Sequence, residues 1–323
     1  MTDPTTSDSP SAPTRAGFAA IIGAPNAGKS TLVNRLVGTK VSIVTQKVQT
    51  TRFPVRGVAM AGQSQIVLVD TPGIFKPRRR LDRAMVASAW GGAQDAEVIV
   101  HLVDAQAHLA FMDGKEATGA DKRGAQDTET IIEGLKAGGQ TAILALNKID
   151  GLKRERLLAL ADALFKTGVY SEVFMISAAT GAGVDDLARR LGELMPEGPW
   201  LYPEDQSADV PQRVLASEIT REKLYLRVHE ELPYAAAVET TEFKELRDGS
   251  ARIEQNIYVE RESQRPIVLG KNGQTLKWIG QKAREELEVL LDRRVHLFIH
   301  VKVNECWQDD RALYAQFGLE YDV

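Results

Sequence analysis

The chain has 323 residues, a formal net charge of −4 and a single cysteine, Cys306. This length favours two domains over one, and 43% hydrophobic with 26% charged residues is typical of a globular protein that buries a full core. One cysteine excludes an intramolecular disulfide, which suits a reducing compartment. The negative net charge argues against coating of nucleic acid by the whole surface, but it leaves room for a local basic patch.

The first sixteen residues predict a disordered tail. They are rich in Ser, Thr, Pro and Asp and contain no apolar segment, so they match neither a signal peptide nor a membrane span. The most apolar run, residues 96–103, is too short to cross a bilayer. It indicates a buried strand instead.

Between Gly17 and Met195, apolar runs alternate with helical patterns. The runs lack polar alternation, as expected of parallel strands covered on both faces. This alternation predicts a doubly wound, mostly parallel α/β domain over residues 17–195. Residues 105–126 are polar and Gly/Ala-rich, and we expect an extended surface loop there. The predicted strands lie in residues 17–23, 65–70, 97–104, 141–147 and 172–177, and the predicted helices are Lys29–Val37, Leu81–Gln94, Asp127–Ala137, Arg154–Lys166 and Val184–Met195.

A second module follows a Pro-rich stretch. Residues 196–212 contain four prolines and predict a semi-rigid linker at a domain boundary. Beyond it the pattern changes to a helix, two strands, a turn, a helix and a strand, which predicts an α+β module in residues 213–323 that ends in a C-terminal tail. Its elements are predicted at 214–231, 234–246, 251–260, 274–291 and 295–303.

The sequence GAPNAGKS, residues 23–30, fits the phosphate-binding pattern G-x-x-x-x-G-K-[ST]. It follows an apolar run and opens a helix, the context that this pattern requires. Glycines let backbone N–H groups turn toward an anion, and the helix N-terminus adds positive charge. Lys29 would reach the β- and γ-phosphates, and Ser30 would ligate Mg²⁺. We expect a nucleoside triphosphate to contact Gly23, Ala24, Pro25, Asn26, Ala27, Gly28, Lys29, Ser30 and Thr31.

Two short motifs at the ends of later strands predict that the base is guanine. Asp150 in NKID can accept hydrogen bonds from guanine N1–H and N2–H₂, donors that adenine lacks. Asn147 and the stem of Lys148 would flank the base. A backbone N–H of the SAA triad would meet guanine O6, so this set adds Ser177, Ala178 and Ala179.

Two further motifs predict the magnesium and γ-phosphate contacts. In DTPG, Asp70 would hold Mg²⁺ and the N–H of Gly73 would contact the γ-phosphate, with Thr71 and Pro72 between them. In QTTRF, residues 49–53, one threonine would complete the magnesium shell. Thr51 is preferred over Thr50, although both also suit an ordinary strand. The magnesium ligands are thus predicted to be Ser30, Thr51 and Asp70, and these loops would become ordered with GTP.

A second Gly-Lys pair lies in GKNG, residues 270–273, but no Ser or Thr follows Gly273 directly. It therefore does not form a second triphosphate site. G-x-x-G before a helix matches the loop with which KH domains clamp a single-stranded nucleic acid backbone. The predicted contacts are Gly270, Lys271, Asn272 and Gly273, with Lys277, Lys282 and Arg284 on the following helix. Ile267, Val268, Leu269, Leu276 and Ile279 would form the groove and core.

Together these motifs resemble the Era family of translation-factor-class small GTPases, with a C-terminal type II KH domain. The resemblance implies GTP hydrolysis with Mg²⁺, binding near the 3′ end of 16S rRNA, and a role in biogenesis of the 30S subunit. It also implies a cytoplasmic monomer that can associate peripherally with the inner membrane. The alternative is an RNA-binding switch that uses GTP as a regulatory ligand with negligible turnover.

The predicted catalytic residues are Lys29, Asn26, Thr51 and Gly73. Ras-like enzymes orient the attacking water with a glutamine just after DxxG, whereas this chain has Ile74, so we expect slow intrinsic turnover. In related GTPases with PNxGKS loops, the asparagine helps to bind K⁺. Asn26 either does the same here or only braces the loop.

The run KPRRRLDR, Lys76 to Arg83, directly follows DTPGIF. Such a run is usually a solvated charged surface. Because it adjoins the DTPG motif, it is also a candidate for carrying the nucleotide state to the KH module or to rRNA.

Overall fold

The computed structural model describes residues 13–114, 117–228 and 232–323. The N-terminal part is a six-stranded sheet, ordered β2-β3-β1-β4-β5-β6, with helices on both faces. Only β2 runs antiparallel to its neighbour, β3, so the predicted doubly wound, mostly parallel fold is confirmed. Its elements are β1 (Arg15–Ile22), α1 (Lys29–Val37), β2 (Val55–Ala61), β3 (Ser64–Asp70), α2 (Arg80–Gln94), β4 (Val98–Asp104), α3 (Ala105–Asp113), α4 (Gly119–Ala137), β5 (Ala142–Asn147), α5 (Arg154–Phe165), β6 (Tyr170–Met175) and α6 (Val184–Leu194).

The register of the parallel strands gathers the predicted motifs at one edge. Ile21 of β1 lies opposite Asp70 of β3 and Val100 of β4, and Asp104 of β4 lies opposite Asn147 of β5. The loops that follow these strands therefore emerge together at the carboxyl end of the sheet, where open α/β sheets bind their ligands.

The C-terminal part is a three-stranded sheet, ordered β7-β8-β9, with helices packed on one side. Strands β7 and β8 are antiparallel, and β8 and β9 are parallel. The predicted α+β module is therefore present. Its elements are α7 (Gln212–Arg227), β7 (Ala236–Glu245), β8 (Ala251–Val259), α8 (Arg265–Leu269), α9 (Gln274–Leu290), β9 (Val295–Val303) and α10 (Arg311–Gln316).

The prediction of an extended loop over residues 105–126 is wrong. Helix α3 begins directly after β4, and α4 begins at Gly119, eight residues before its predicted start. Asp104 caps α3 by accepting from the N–H of Ala107 at 3.0 Å, and Thr118 with Asp121 forms a capping box for α4. Alanine is the best helix former, and these caps satisfy free N–H groups at the helix starts. The segment is therefore helical rather than an extended loop.

Other elements and boundaries also differ from the sequence prediction. Strand β2 was not predicted, and β1 begins at Arg15, inside the predicted tail. Helix α7 ends at Arg227, and the last predicted residues of that helix, 229–231, lie outside the described ranges together with residues 1–12 of the predicted tail. The apolar run before GKNG is the short helix α8, in which Val268 is buried while Ile267 is 56% exposed.

The linker and the C-terminal segment both lie against the N-terminal part. The N–H of Val58 donates to Ser207 O at 2.9 Å, which extends the sheet edge at β2. At the chain end, Phe317 stacks on Phe53 with ring centroids 5.1 Å apart, and Trp307 and Tyr314 are buried in the same cluster. Both segments are therefore packed against the N-terminal part. No helix in the described ranges is long and apolar enough to cross a membrane.

Candidate functional site

Lys29 is the first residue of α1, at the end of the 23–30 loop that connects β1 to α1. Its ammonium donates to Gly23 O at 3.1 Å and to Ala24 O at 3.0 Å. The side chain is 6% exposed. Burial lowers the pKa of its ammonium to about 8, although the nearby negative charge of Asp70 acts in the opposite direction and raises it. Gly28 has φ 100°, and a Cβ there would lie 2.4 Å from Asn147 Nδ2. The loop therefore requires glycine at this position.

Three oxygen atoms converge beside this loop. Ser30 Oγ donates to Asp70 Oδ2 at 2.7 Å and lies 2.9 Å from Thr51 Oγ1, which is 3.3 Å from the same carboxylate oxygen. Asp70 is fully buried, and burial raises the pKa of its carboxyl. Its second oxygen, Oδ1, has no partner among the described residues. Two hydroxyls and a buried carboxylate are ligands that Mg²⁺ prefers.

The two candidate threonines have different surroundings. Thr50 Oγ1 is 2.6 Å from Thr45 Oγ1 and donates to Lys47 O at 2.7 Å. Thr51, in contrast, joins Ser30 and Asp70. Of the two, only Thr51 stands with the other predicted magnesium ligands.

The DTPG motif is held directly against the 23–30 loop. The N–H of Ile74 donates to Gly23 O at 3.1 Å, and Thr71 Oγ1 donates to Ile21 O at 2.8 Å. A Cβ on Gly73 would lie 2.9 Å from the backbone N of Pro25. Glycine is needed here for close approach, so the N–H of residue 73 lies at the phosphate loop.

Asn147 connects two of the predicted guanine-site loops. Its amide nitrogen donates to Ala27 O at 2.7 Å, and its amide oxygen accepts from the N–H of Ala178 at 2.9 Å. It is 2% exposed. The side chain therefore positions the phosphate loop relative to residues 177–179. Sequence reasoning had placed it beside the base, without this bracing contact.

The other residues of these two motifs are also held in place. Asp150 is exposed, and its carboxylate accepts from Ser177 Oγ at 2.9 Å. Lys148 has φ 60°, and its ammonium lies 2.5 Å from Asp104 Oδ2. Asp104 is the last residue of β4 and also the cap of α3, so one carboxylate both caps that helix and holds Lys148.

Arg35 was missed by sequence reasoning. It extends from α1, and its guanidinium donates to the carbonyls of Ala178 and Ala179. An arginine one and a half turns after a phosphate loop has no recognisable pattern of its own in a single sequence.

The loop between α1 and β2, residues 38–54, is held by α7 of the C-terminal part. Glu222 accepts from the N–H of Val44 at 2.9 Å and from Lys40 Nζ at 2.8 Å. Arg221 donates to Thr50 O, directly beside Thr51. The loop that carries the third magnesium candidate is thus fixed by a different part of the chain.

Arg52 of this loop is 1% exposed. Its guanidinium donates to Ala236 O and to Tyr225 OH, both at 2.9 Å, and lies 5.2 Å from the Trp307 ring centroid. Burial lowers its pKa. The sequence analysis assigned no role to Arg52 beyond its place in the QTTR motif, because its partners lie some 170 to 260 residues further along the chain.

These loops surround one cavity of about 810 Å³. Its walls include Asn26, Lys29, Ser30 and Thr51, and Lys148 also lines it. Tyr225 and Leu226 of α7 also line it. The volume is that of a site for a molecule of nucleotide size.

The GKNG loop, residues 270–273, connects α8 to α9. Gly270 has φ 71°, and a Cβ there would lie 2.2 Å from Thr275 Oγ1. Asn272 and Gly273 are also left-handed, at φ 53° and 74°, while Lys271 and Asn272 are exposed. The turn therefore presents backbone and a cation to solvent at the start of a helix.

The three predicted cations of α9 do not share one side. Gly280 faces Ile299 of β9, with 3.5 Å between an added Cβ and Ile299 Cδ1. Lys277 and Arg284 lie three residues before and four after Gly280, hence on its side of the helix.

Lys282 lies on the opposite side of α9. It precedes Glu286 by four residues, and Glu286 pairs with Lys223 of α7. Lys282 itself pairs with Glu285 at 2.7 Å. The structure therefore does not place Lys282 beside Lys277 and Arg284, contrary to the expectation from its sequence position.

These features define a P-loop GTPase joined to a KH domain. They are the phosphate loop with its oxygen ligands, the residues of the guanine motifs and the appended G-x-x-G module. Sequence profiles agree with both parts, because "50S ribosome-binding GTPase" matches residues 18–148 and "KH domain" matches residues 231–308. The chain belongs to the Era family of GTPases.

The family is shown by relatives that match over nearly the whole chain. GTPase Era of Caulobacter vibrioides is 72% identical over 310 residues, covering 96% of this chain and 98% of its own. GTPase Era of Maricaulis maris is 60% identical over 311 residues, covering 96% and 99%.

Two solved structures have the same overall fold. Aquifex aeolicus Era, as a variant bound to GDP and AlF₄⁻, matches with a TM-score of 0.84 at 37% identity. Era in complex with MgGDPNP and nucleotides 1506–1542 of 16S ribosomal RNA matches with the same score and identity. Each alignment covers 96% of this chain and 100% of the other. The chain is therefore a GTPase.

Proposed function

We propose that the chain binds GTP in the 810 Å³ cavity, hydrolyses it slowly, and binds 16S rRNA near its 3′ end during 30S biogenesis. One observation carries the proposal: a single chain holds Lys29 beside the Ser30, Thr51 and Asp70 cluster and also presents the exposed GKNG turn. The proposed division is a GTPase domain at 17–195, a linker at 196–212 and a KH domain with its C-terminal segment at 213–323.

The nucleotide contacts follow from the positions of the loops. The backbone of residues 23–28 would surround the phosphates, while Lys29 neutralises the β- and γ-phosphates and Gly73 donates its N–H to the γ-phosphate. Thr31, in the first turn of α1, lines the same cavity. Asp150 would accept from guanine N1–H and N2–H₂, and the N–H groups of residues 178–179 would face O6.

The residues present fit a magnesium ion. Ser30, Thr51 and Asp70 would hold it, and the unpartnered, buried Asp70 Oδ1 leaves an acceptor for an outer hydration shell. When bound, Mg²⁺ supplies charge neutralisation at the phosphates. The chain's own residues position GTP, and Lys29 and Gly73 stabilise the charge that develops on the γ-phosphate.

We propose that K⁺ assists hydrolysis at Asn26. Ile74 is apolar and 1% exposed, so it cannot orient water. Asn26 donates its amide N–H to Gln46 O at 3.0 Å, and its amide oxygen has no hydrogen-bond partner in the part of the chain that the structure describes. That oxygen is a suitable cation ligand at the edge of the cavity.

For RNA, the proposed contacts are the backbone of Gly270 to Gly273, with Lys271, Lys277 and Arg284 neutralising phosphates. We further propose a cytoplasmic monomer with peripheral attachment to the inner membrane. Sedimentation of the protein alone tests the monomeric state. Co-sedimentation with lipid vesicles tests the membrane attachment.

The deciding experiment uses Gly273→Asp. A negative side chain at the turn should abolish binding of a short single-stranded RNA from the 16S 3′ end and leave GTP affinity within about twofold, because the two loops lie in different domains. The matched control is Gly249→Asp, another glycine with positive φ and open space around it, in the β7–β8 turn. Loss of GTP binding with RNA binding retained would contradict the proposal.

A further inference from the structure

The turn after β6 contains a backbone N–H group that the protein leaves free. We define the base turn as residues 177–181, the SAA triad and the two residues after it. Four of its five N–H groups have protein acceptors, namely those of Ser177 (Ala182 O, 2.9 Å), Ala178 (Asn147 Oδ1, 2.9 Å), Thr180 (Ser177 Oγ, 3.1 Å) and Gly181 (Ser177 O, 2.8 Å). Ala179 is exposed, and among the described residues no acceptor is within hydrogen-bond reach of its N–H. Ala179 therefore offers a backbone donor to a ligand.

The two carbonyls beside that donor are held by Arg35 of α1. Its Nε donates to Ala178 O at 3.3 Å, and its Nη2 donates to Ala179 O. No acidic oxygen in the described part of the chain lies within 4.0 Å of the guanidinium. The donors of Arg35 therefore go to two main-chain carbonyls rather than to an ion pair. Hydrogen bonds from a charged donor are stronger than those between neutral groups.

The planarity of the peptide group lets Arg35 control the direction of the free donor. A trans peptide holds its C=O and N–H in one plane, pointing in opposite directions. Ala178 O and the N–H of Ala179 belong to the same peptide, so the bond to Arg35 directs that N–H away from the guanidinium. The bond to Ala179 O fixes the next peptide as well. Arg35 thus opposes a peptide flip that would put a carbonyl where the N–H of Ala179 lies.

Helix α1 connects this contact to the phosphate loop. The helix begins at Lys29, and Arg35 lies in its last turn, about 9 Å further along the helix axis. A cation is favoured at that position, because the C-terminal end of a helix is negative. One helix therefore sets the position of the base turn relative to the phosphate loop.

We propose that Arg35 is a positioning residue for guanine recognition, which holds the N–H of Ala179 in place to donate to guanine O6. The proposal rests on the guanine site proposed above. Adenine has an NH₂ group where guanine has O6, so a fixed N–H opposes adenine, whereas a peptide that is free to flip would offer that group an acceptor. Asp150 recognises guanine N1–H and N2–H₂, and Arg35, acting through Ala179, adds selection at O6.

The test changes one group of the ligand at a time. It compares GDP with 6-thio-GDP and with IDP, so that hydrolysis does not interfere. In 6-thio-GDP a sulfur atom, which is a weak acceptor, replaces O6, while N1–H and N2–H₂ remain. IDP keeps O6 and lacks the N2 amino group that Asp150 would bind. Displacement of a fluorescent GDP analogue from the full-length chain, in the presence of Mg²⁺, gives each Kd.

The variants are Arg35→Ala and Arg35→Lys, and the matched control is Lys136→Ala. Lys136 is an exposed cation in the last turn of α4, so its removal changes the net charge and the charge at a helix end in the same way. Arg35→Lys keeps the charge but loses the planar pair of donors. It decides the test if the alanine variant does not fold.

The wild type should bind GDP roughly 3- to 30-fold more tightly than 6-thio-GDP, because the sulfur leaves the N–H of Ala179 poorly paired. In Arg35→Ala this ratio should fall to within about twofold of unity, since the N–H is no longer held toward O6. GDP should lose affinity in that variant, whereas 6-thio-GDP should lose little. Arg35→Lys should give an intermediate ratio, and Lys136→Ala should behave as wild type.

The ratio of the IDP and GDP dissociation constants separates positioning from a general loss of structure. It reports the contact with Asp150, whose partner Ser177 is held by its own backbone hydrogen bonds. This ratio should therefore stay within about twofold of the wild-type value in both Arg35 variants.

Several results would overturn the proposal. One is an equal loss of affinity for all three nucleotides in the Arg35 variants, which would show that Arg35 only stabilises the fold. Another is an equal change in Lys136→Ala, which would indicate an effect of charge alone. If the wild type prefers GDP to 6-thio-GDP and both Arg35 variants do so to the same extent, only this proposal fails. If the wild type binds the two nucleotides equally, the proposed contact with O6 fails as well.

Discussion

Asp150→Asn should change which purine the cavity selects. The Asp150 carboxylate is exposed, and one of its oxygens already accepts from Ser177 Oγ at 2.9 Å. An amide can keep that bond only by turning its oxygen to Ser177, which then presents its NH₂ group to a guanine donor. The missing charge-assisted hydrogen bond and a stranded donor together cost about 2–4 kcal/mol, or roughly 30- to 700-fold in GTP affinity.

Xanthine offers an acceptor where guanine has N2–H₂, so the same variant should bind XTP more tightly than the wild type does. Titration of fluorescent GTP and XTP analogues measures both affinities. The control is Asp185→Asn, an exposed carboxylate in the first turn of α6, which should leave both affinities unchanged. Equal GTP affinity in wild type and Asp150→Asn would refute the assignment, and so would weaker GTP binding without any gain of XTP.

The remaining predictions concern catalysis, the phosphate contact and stability. GTP turnover should be faster in K⁺ than in Na⁺ at equal ionic strength, and Asn26→Ala should remove the difference; a rate indifferent to the cation in both proteins would contradict the K⁺ proposal. Gly73→Ala should weaken GTP binding by roughly tenfold or more relative to GDP, because its Cβ would lie 2.9 Å from Pro25 N and displace a donor to a charged phosphate; nucleotide titration with both ligands checks this. Burial lowers the pKa of His101 to about 3, below the value of about 6.5 expected for an unfolded chain. The unfolded state therefore binds the extra proton, and stability is lost as pH falls below about 6.5, by up to about 1.4 kcal/mol per pH unit. His101→Gln should lose less stability than wild type between pH 7 and 5 in denaturant titrations, and equal losses would show that His101 is not the group responsible.

The sequence by itself determined the local chemistry of the nucleotide site. A phosphate loop needs glycine, lysine and a hydroxyl within eight consecutive residues, and a buried parallel strand is a short apolar run, so both are visible in contiguous letters. Helices with strong periodicity, such as α1 and α9, were predicted almost to the residue. The α3 region was not, because a polar stretch rich in Gly and Ala is also typical of a loop, and the cap of α3, Asp104, is at the same time the last residue of a strand.

Choices between neighbouring residues needed the tertiary structure. Thr50 and Thr51 have the same side chain, and only the path of the loop brings Thr51 to Asp70. Lys277 and Lys282 are both exposed cations of one helix, and only the packing of α9 between α7 and β9 separates them.

The same holds for the contacts between the two domains. Arg52 and Arg221 are ordinary charged letters in the sequence, yet each is 1% exposed and hydrogen-bonds across the domain boundary. Burial of a charge is stable only where partners far along the chain satisfy it. Such partners are specified by the arrangement of the two domains in space, which no local pattern of residues records.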